Sequence, residues 1–136
     1  MFKTSGGKYI APQIIENRMK QSLFIEQVMV IGDGEKMPAA FIQPNFDFVR
    51  EWAHRHGFEI TGTNEELIAN PKVIERFQEE VDHANEKFGN WEKIKRFELT
   101  PNVWSIEAGH LTPTMKLRRK IVREKYQHLY EKIYQS

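Results

Sequence analysis

The sequence predicts an α+β fold, with an N-terminal β-hairpin and a small, mainly antiparallel sheet packed with about four helices. Three observations carry that prediction. FKTSGGKYIAP sets β-type residues on either side of Gly6-Gly7, a pair that readily takes the positive φ of a tight turn. FIEQVMVIG and MPAAFIQP are apolar, β-rich runs separated by Asp33-Gly34-Glu35-Lys36, which reads as strand, turn, strand. Val73, Phe77, Val81, Ala84 and Phe88 recur at spacings of four, four, three and four, the period of one helix face. Hairpins and helices mix without sustained strand–helix alternation, which argues for α+β over a parallel α/β sheet.

Taken in order, the opening hairpin is followed by a helix from Pro12, a residue suited to a first helical position. Ile15 and Met19 lie four apart on its apolar side, with Glu16, Asn17 and Lys20 on the face expected to be exposed. After the second strand, which Pro44 stops, Phe46, Val49 and Ala53 follow helical spacing, so Asn45 to His56 is a helix with Gly57 just past its end. Gly57 to Asn70 is polar and loop-like. Asn70-Pro71 then caps and starts the long helix. WEKIKRFELT alternates as a strand, and PNVWSIEAGHL is a loop or short hairpin carrying Trp104. The last helix is expected from about Thr114, with Val122, Tyr126, Leu129 and Ile133 on one face.

At 136 residues, with 40% hydrophobic and 29% charged side chains, the chain has the composition of one compact domain. It has no cysteine, which removes disulfides, thiolate catalysis and sulfur-ligated zinc together. No apolar run approaches the roughly 20 residues that span a bilayer, and the first residues lack a signal peptide's apolar core, so a cytoplasmic location is expected. A net charge of +1 gives no global electrostatic case for nucleic acid, and membrane association is not expected. Any anion-binding function must therefore be local.

Several residue groups invite a chemical reading. His54 and His56 stand two apart, which on a helix points them to different faces, and no third ligand has metal-site spacing, so no metal is expected. His83 and His110 read as surface or loop residues. SGGK lacks both the preceding Gly and the following Ser or Thr of a nucleotide loop. It is either a plain structural turn or a glycine-thinned hairpin, flanked by Lys3 and Lys8, along which a slender chain can pass close to the backbone. In LTPTMKLRRKIV, Thr112 or Thr114 is expected to cap the last helix, which places Lys116 in its first turn. A cation there opposes the helix dipole, a placement that makes sense if the lysine meets a phosphate or carboxylate. Arg118, Arg119, Lys120 and Arg123 read as a solvated basic face.

KTSGGKYIAPQIIEN, NPKVIERFQEEVDHANEKFGNWEKIKRFELT and LTPTMKLRRKIV, in that order, resemble the C-terminal domain of the adenylate-forming acyl-CoA synthetases, most of all the long-chain fatty acid ligases. The resemblance spans residues 1–136. It implies a ligase lobe: a fatty acid and ATP form acyl-adenylate and pyrophosphate, then the thiol of coenzyme A displaces AMP. The family's small C-terminal lid turns on a large N-terminal AMP-binding domain between the two steps. That domain supplies the adenine, Mg2+ and acyl pockets and is the expected partner. The resemblance implies that Lys116 bridges carboxylate and α-phosphate during adenylation, with Thr114 in the same ATP-facing motif. It implies that Lys3 enters for the second step, that Gly6 borders the pantetheine path, and that Lys8 lies near coenzyme A. Met115 departs from the glycine that many relatives have. The chain is expected to be the lid alone, inactive by itself, with Met1 as a start inside a longer chain.

The competing reading is a stand-alone basic module that uses the last helix on nucleic acid or an anionic membrane surface. In that case Lys120, Arg123 and Lys125 act together and affinity falls steeply with salt. In a lid, Lys116 dominates alone.

Overall fold

The computed structural model describes residues 1–135. A two-stranded hairpin, β1 (Phe2–Lys3) and β2 (Tyr9–Ile10), leads into α1 (Pro12–Met19). β3 (Ile25–Ile31) and β4 (Ala39–Pro44) form an antiparallel pair. Three helices follow, α2 (Phe46–Arg55), α3 (Asn64–Ala69) and α4 (Pro71–Asn85). A short 3-10 turn (Asn90–Glu92) precedes β5 (Arg96–Leu99), and the chain closes with α5 (Arg119–Lys125) and α6 (Gln127–Tyr134). β5 pairs parallel with β4, which makes β4 the centre of a three-stranded sheet ordered β3-β4-β5. The α+β reading, with its N-terminal hairpin, stands.

Both faces of this sheet are covered, which explains why its strands read as continuous apolar runs. Val28, Val30, Ala40 and Ile42 face a core shared with Ile15, Met19, Val49, Leu67, Val73 and Phe77 of α1 to α4. The alternate residues, Met29, Ile31, Ala39 and Phe41, face Val122, Tyr126, Tyr130 and Ile133 of α5 and α6. Phe41 and Phe77 are fully buried on opposite sides, each contributing about 1.5–3 kcal/mol of transfer free energy.

The local signals worked where they were complete. Asn45 Oδ1 accepts from Phe48 N–H at 3.1 Å and Asn70 Oδ1 from Lys72 N–H at 2.9 Å, so both expected N-caps form. Gly57 ends α2 with φ of 86°, the left-handed value that favours glycine.

Four readings are corrected. The segment expected as a loop from Gly57 to Asn70 contains α3, whose first turn is capped by Thr63 Oγ1 accepting from Glu66 N–H at 3.2 Å. The strand expected over WEKIKRFELT is shorter, because Asn90–Glu92 turns before β5 begins. The last helix starts at Arg119, not near Thr114, and breaks at Tyr126 into α5 and α6. Glu16 is not on an exposed face; it is 5% accessible and bonds inside the fold.

Candidate functional site

The hairpin turn and the turn that carries Lys116 have the same backbone frame. In the first, Thr4 N–H donates to Lys8 O at 2.9 Å, Lys8 N–H returns to Thr4 Oγ1 at 3.2 Å, and Gly7 N–H donates to Thr4 O at 3.0 Å. In the second, Thr112 N–H donates to Lys116 O at 2.8 Å, Lys116 N–H returns to Thr112 Oγ1 at 3.1 Å, and Met115 N–H donates to Thr112 O at 2.8 Å. The fourth position is left-handed in both, with φ of 84° at Gly7 and 67° at Met115. Each is a three-residue hairpin loop of the kind that ends in a left-handed residue. Thr and Lys sit at the same two corners, and the loop residues Ser5-Gly6-Gly7 correspond to Pro113-Thr114-Met115.

This geometry corrects the expected placement of Lys116. Leu111 and Leu117 form a β-bridge at the base of the turn, and Arg118 N–H donates to His110 O at 2.9 Å, so the chain runs as two antiparallel arms on either side of the turn that carries Lys116. A left-handed Met115 cannot continue a right-handed helix. Thr112 and Thr114 therefore close a turn, their hydroxyls 3.1 Å apart, rather than cap a helix. The helix-dipole reason for an anion at Lys116 is withdrawn. What remains is an exposed ammonium at the corner of a hydrogen-bonded hairpin turn, with no acid partner among the described residues.

His110, expected in a loop or at the surface, is 2% accessible. Its ring stacks 5.7 Å from Trp104 and 6.1 Å from Tyr126. Ser105 N–H donates to Nδ1 at 3.2 Å, which leaves the proton on Nε2 to meet Tyr126 Oη at 3.2 Å, and Tyr126 in turn donates to Asn102 at 3.1 Å. Burial, with Lys125 adding to it, pushes the His110 pKa below its ordinary value.

The N-terminal turn is docked rather than buried. Ser5 N–H donates to Glu35 O at 2.8 Å and Gly34 N–H to Lys3 O at 2.9 Å, so the hairpin extends from the β3–β4 turn. That contact supplies the support a two-stranded hairpin needs. Gly6 faces open space: a Cβ built there meets nothing within 4 Å. Of the Gly6-Gly7 pair, it is Gly7 that takes the positive φ.

Beside this turn lies a cleft of about 210 Å³ with Gly6, Lys8, Lys36, Lys93 and Lys95 in its wall and Trp91 at its side. Lys8 Nζ stands 5.6 Å from the Trp91 ring centroid, a cation–π distance. No acid lines the cleft, and none of its four lysines has an ion-pair partner among the described residues. Lys3 is not in its wall; its ammonium lies 5.7 Å from the Tyr9 ring. Lys36, Trp91, Lys93 and Lys95 were not singled out from sequence. Lys93 and Lys95 carried a usable signal, since residues two apart in extended chain share a face; Lys36, in a turn, carried none.

Two arginines of the basic run are engaged internally. Arg119 donates to both oxygens of Glu16, at 2.8 and 2.7 Å. Arg123 lies 3.8 Å from the Tyr130 ring centroid and donates to Gln127. Among the described residues no group of three or more His, Asp or Glu side chains is placed to hold a metal ion. His54 contacts Glu59, which pushes its pKa up, and among the described residues no helix is long and apolar enough to cross a membrane.

A profile of the AMP-binding enzyme C-terminal domain matches residues 2–136. The chain belongs to that family. The long-chain-fatty-acid–CoA ligase FadD15 of Mycobacterium tuberculosis is 31% identical over 96% of this chain, and human long-chain-fatty-acid–CoA ligase 1 is 33% identical over all of it. This AMP-binding enzyme C-terminal domain spans 22% and 20% of the length of those relatives. Among solved structures, the adenylation domain of a carboxylate reductase from Mycobacterium chelonae superposes with a TM-score of 0.78 over 99% of this chain and 19% of its own. At 18% identity that match establishes the shared fold alone.

Proposed function

We propose that residues 1–136 act as the mobile lid of a long-chain fatty acid:CoA ligase, which converts fatty acid, ATP and coenzyme A to acyl-CoA, AMP and pyrophosphate. The observation that carries this reading is the pair of matched turns, each holding a lysine at the same corner, one beside an open glycine and a basic cleft, the other on a braced and exposed tip.

In the first half-reaction a carboxylate oxygen attacks the α-phosphorus of ATP and pyrophosphate leaves. The Lys116 ammonium, with no acid partner among the described residues, neutralises charge gathered between carboxylate and phosphate. Thr114 lines the same turn. In the second, the coenzyme A sulfur attacks the acyl carbonyl, its proton passes to solvent, and AMP leaves. Gly6 leaves room for the pantetheine arm, and Lys8 with Lys36, Lys93 and Lys95 supplies cations for the phosphates of coenzyme A. Trp91 offers a flat face to its adenine. Lys3, outside that cleft, is assigned to the second step on the resemblance. Among the described residues no cluster of carboxylates or histidines is placed to hold Mg2+, so the partner AMP-binding domain would hold that ion.

The rival reading, a stand-alone basic module, needs the terminal run free to meet phosphates. Of the three residues it needs together, Arg123 is engaged within the fold, stacked on Tyr130, and neighbouring Arg119 is tied to Glu16.

The test is a fusion. Placed behind the AMP-binding domain of a long-chain ligase whose own C-terminal domain has been deleted, this chain should restore palmitoyl-CoA formation, while the chain alone should form none. A folded fusion that adenylates palmitate no better than the truncated ligase and transfers none to coenzyme A would contradict the reading.

A further inference from the structure

Glu16 is the most deeply buried carboxylate among the described residues, its side chain 6% accessible, and its oxygens accept three hydrogen bonds from two distant segments. Both oxygens take the Arg119 fork, and Oε2 also accepts Val30 N–H at 2.7 Å. Arg119 is 103 residues away in sequence and stands three residues after Lys116, at the first position of α5. That helix start has no capping side chain: Arg118 makes no side-chain cap and the first turn has no acid. A helix of seven residues is far below the length that holds itself in water.

We infer that the Glu16–Arg119 pair is a brace that positions the Lys116 turn for adenylation, so that Arg119 and Glu16 are positioning residues of that half-reaction. The inference rests on the role proposed for Lys116. The turn's C-terminal arm is pinned twice, through Arg118 N–H on His110 O and through the Arg119 side chain on Glu16. α1, which holds Glu16, follows directly on the strand that ends the first turn, so one pair, its carboxylate buried and its guanidinium 38% accessible, ties the frames of both turns to the β3 backbone. A buried ion pair is weak support for stability, and its best use is to fix one arrangement. A strained Met115 needs that fixing, because an unfavourable left-handed residue persists only where its surroundings over-determine it. Arginine is the residue for the position, since lysine carries the charge without the fork.

The test uses Arg119→Ala and Arg119→Lys in the 15N-labelled chain and in the ligase fusion. In the chain, amide order parameters at Thr112 to Lys116 should fall from about 0.85 toward 0.6 while those at Thr4 to Lys8 hold. Exchange of the Arg118 amide should quicken at least about tenfold, with Arg119→Lys intermediate. In the fusion, adenylation kcat should drop about ten- to a hundredfold at unchanged KM for ATP, the signature of a misplaced group, and thioester formation from supplied acyl-adenylate should stay level. If Arg119→Ala fails to fold, Arg119→Lys decides. A turn that stays rigid in a folded variant overturns the brace, as does unchanged adenylation where Lys116→Ala abolishes it. A loosened turn combined with a Lys116→Ala enzyme that still adenylates fully keeps the brace as a structural device and overturns its catalytic purpose together with the lysine's role.

Discussion

The turns at Thr4–Lys8 and Thr112–Lys116 share a hydrogen-bond frame and are held in opposite ways. The first fills its left-handed position with Gly7, which adopts it without steric cost, and is attached to the rest of the fold by backbone bonds to the β3–β4 turn. The second forces Met115 into the same conformation, at a cost of about 1–2 kcal/mol, and rests on buried groups: the His110 stack, the Leu111–Leu117 bridge and the Glu16–Arg119 pair. One turn is relaxed and lightly docked; the other is strained and braced. That contrast suits a lid that must offer a narrow, open passage on one side and a single well-placed cation on the other.

Removing a buried side chain under the strained turn should hurt far more than removing a hydrogen-bonding group from the relaxed one. His110→Ala empties the space between Trp104 and Tyr126 and leaves Ser105 N–H unpartnered, so a loss of about 2–4 kcal/mol is expected by chemical denaturation. Thr4→Ala, which takes one acceptor from Lys8 N–H, should cost about 0.5–1.5 kcal/mol. Equal losses would mean that the two turns are supported alike.

Exchanging the chemistry of the left-handed positions sharpens the contrast. Gly7→Ala should destabilise by about 1–2 kcal/mol, because its Cβ has room but its backbone does not suit it. Met115→Gly should stabilise by about 0.5 kcal/mol, the relief of strain exceeding the entropy of a freer unfolded chain. Melting curves of the two variants should shift in opposite directions.

The smallest effect is a pH dependence. His110 has a lowered pKa in the fold, so the unfolded chain binds its proton first as pH falls through about 6.5. Stability should therefore decline between pH 7.5 and 5.5 and level off below the folded pKa. His54 is raised by Glu59 and has the opposite sign, so the slope is best read in a His54→Gln background. His110→Gln in that background should flatten it.

Elements with complete local signals were legible from residues alone. The hairpin, the β3–β4 pair, α2 and α4 each carry a period, a turn pair or a cap within a few residues. α3 is too short to show a period, although Thr63 and Glu66 spell the capping box that starts it. The onset of the last helix was misplaced because Thr-Pro-Thr is cap chemistry and turn chemistry alike, and only the backbone at Met115 separates them. Glu16 looked exposed because its partner is Arg119, and His110, which does lie in a loop, is buried there because the fold brings Trp104 and Tyr126 over its ring. The lysine cleft is assembled from residues near 8, 36 and 93 to 95, a grouping no local pattern holds.

The central claim is that the two turns serve different half-reactions, and Gly6→Leu measured beside Lys116→Ala in the ligase fusion tests it most directly. Gly6 has open space and no positive φ, so leucine there obstructs the passage without straining the hairpin. The account predicts that Gly6→Leu keeps ATP–pyrophosphate exchange and loses acyl transfer to coenzyme A. It predicts that Lys116→Ala loses about 10²- to 10³-fold in exchange and retains transfer from supplied acyl-adenylate. A Gly6→Leu enzyme that loses exchange and keeps transfer, or a Lys116→Ala enzyme equally impaired in both steps while folded, would contradict it.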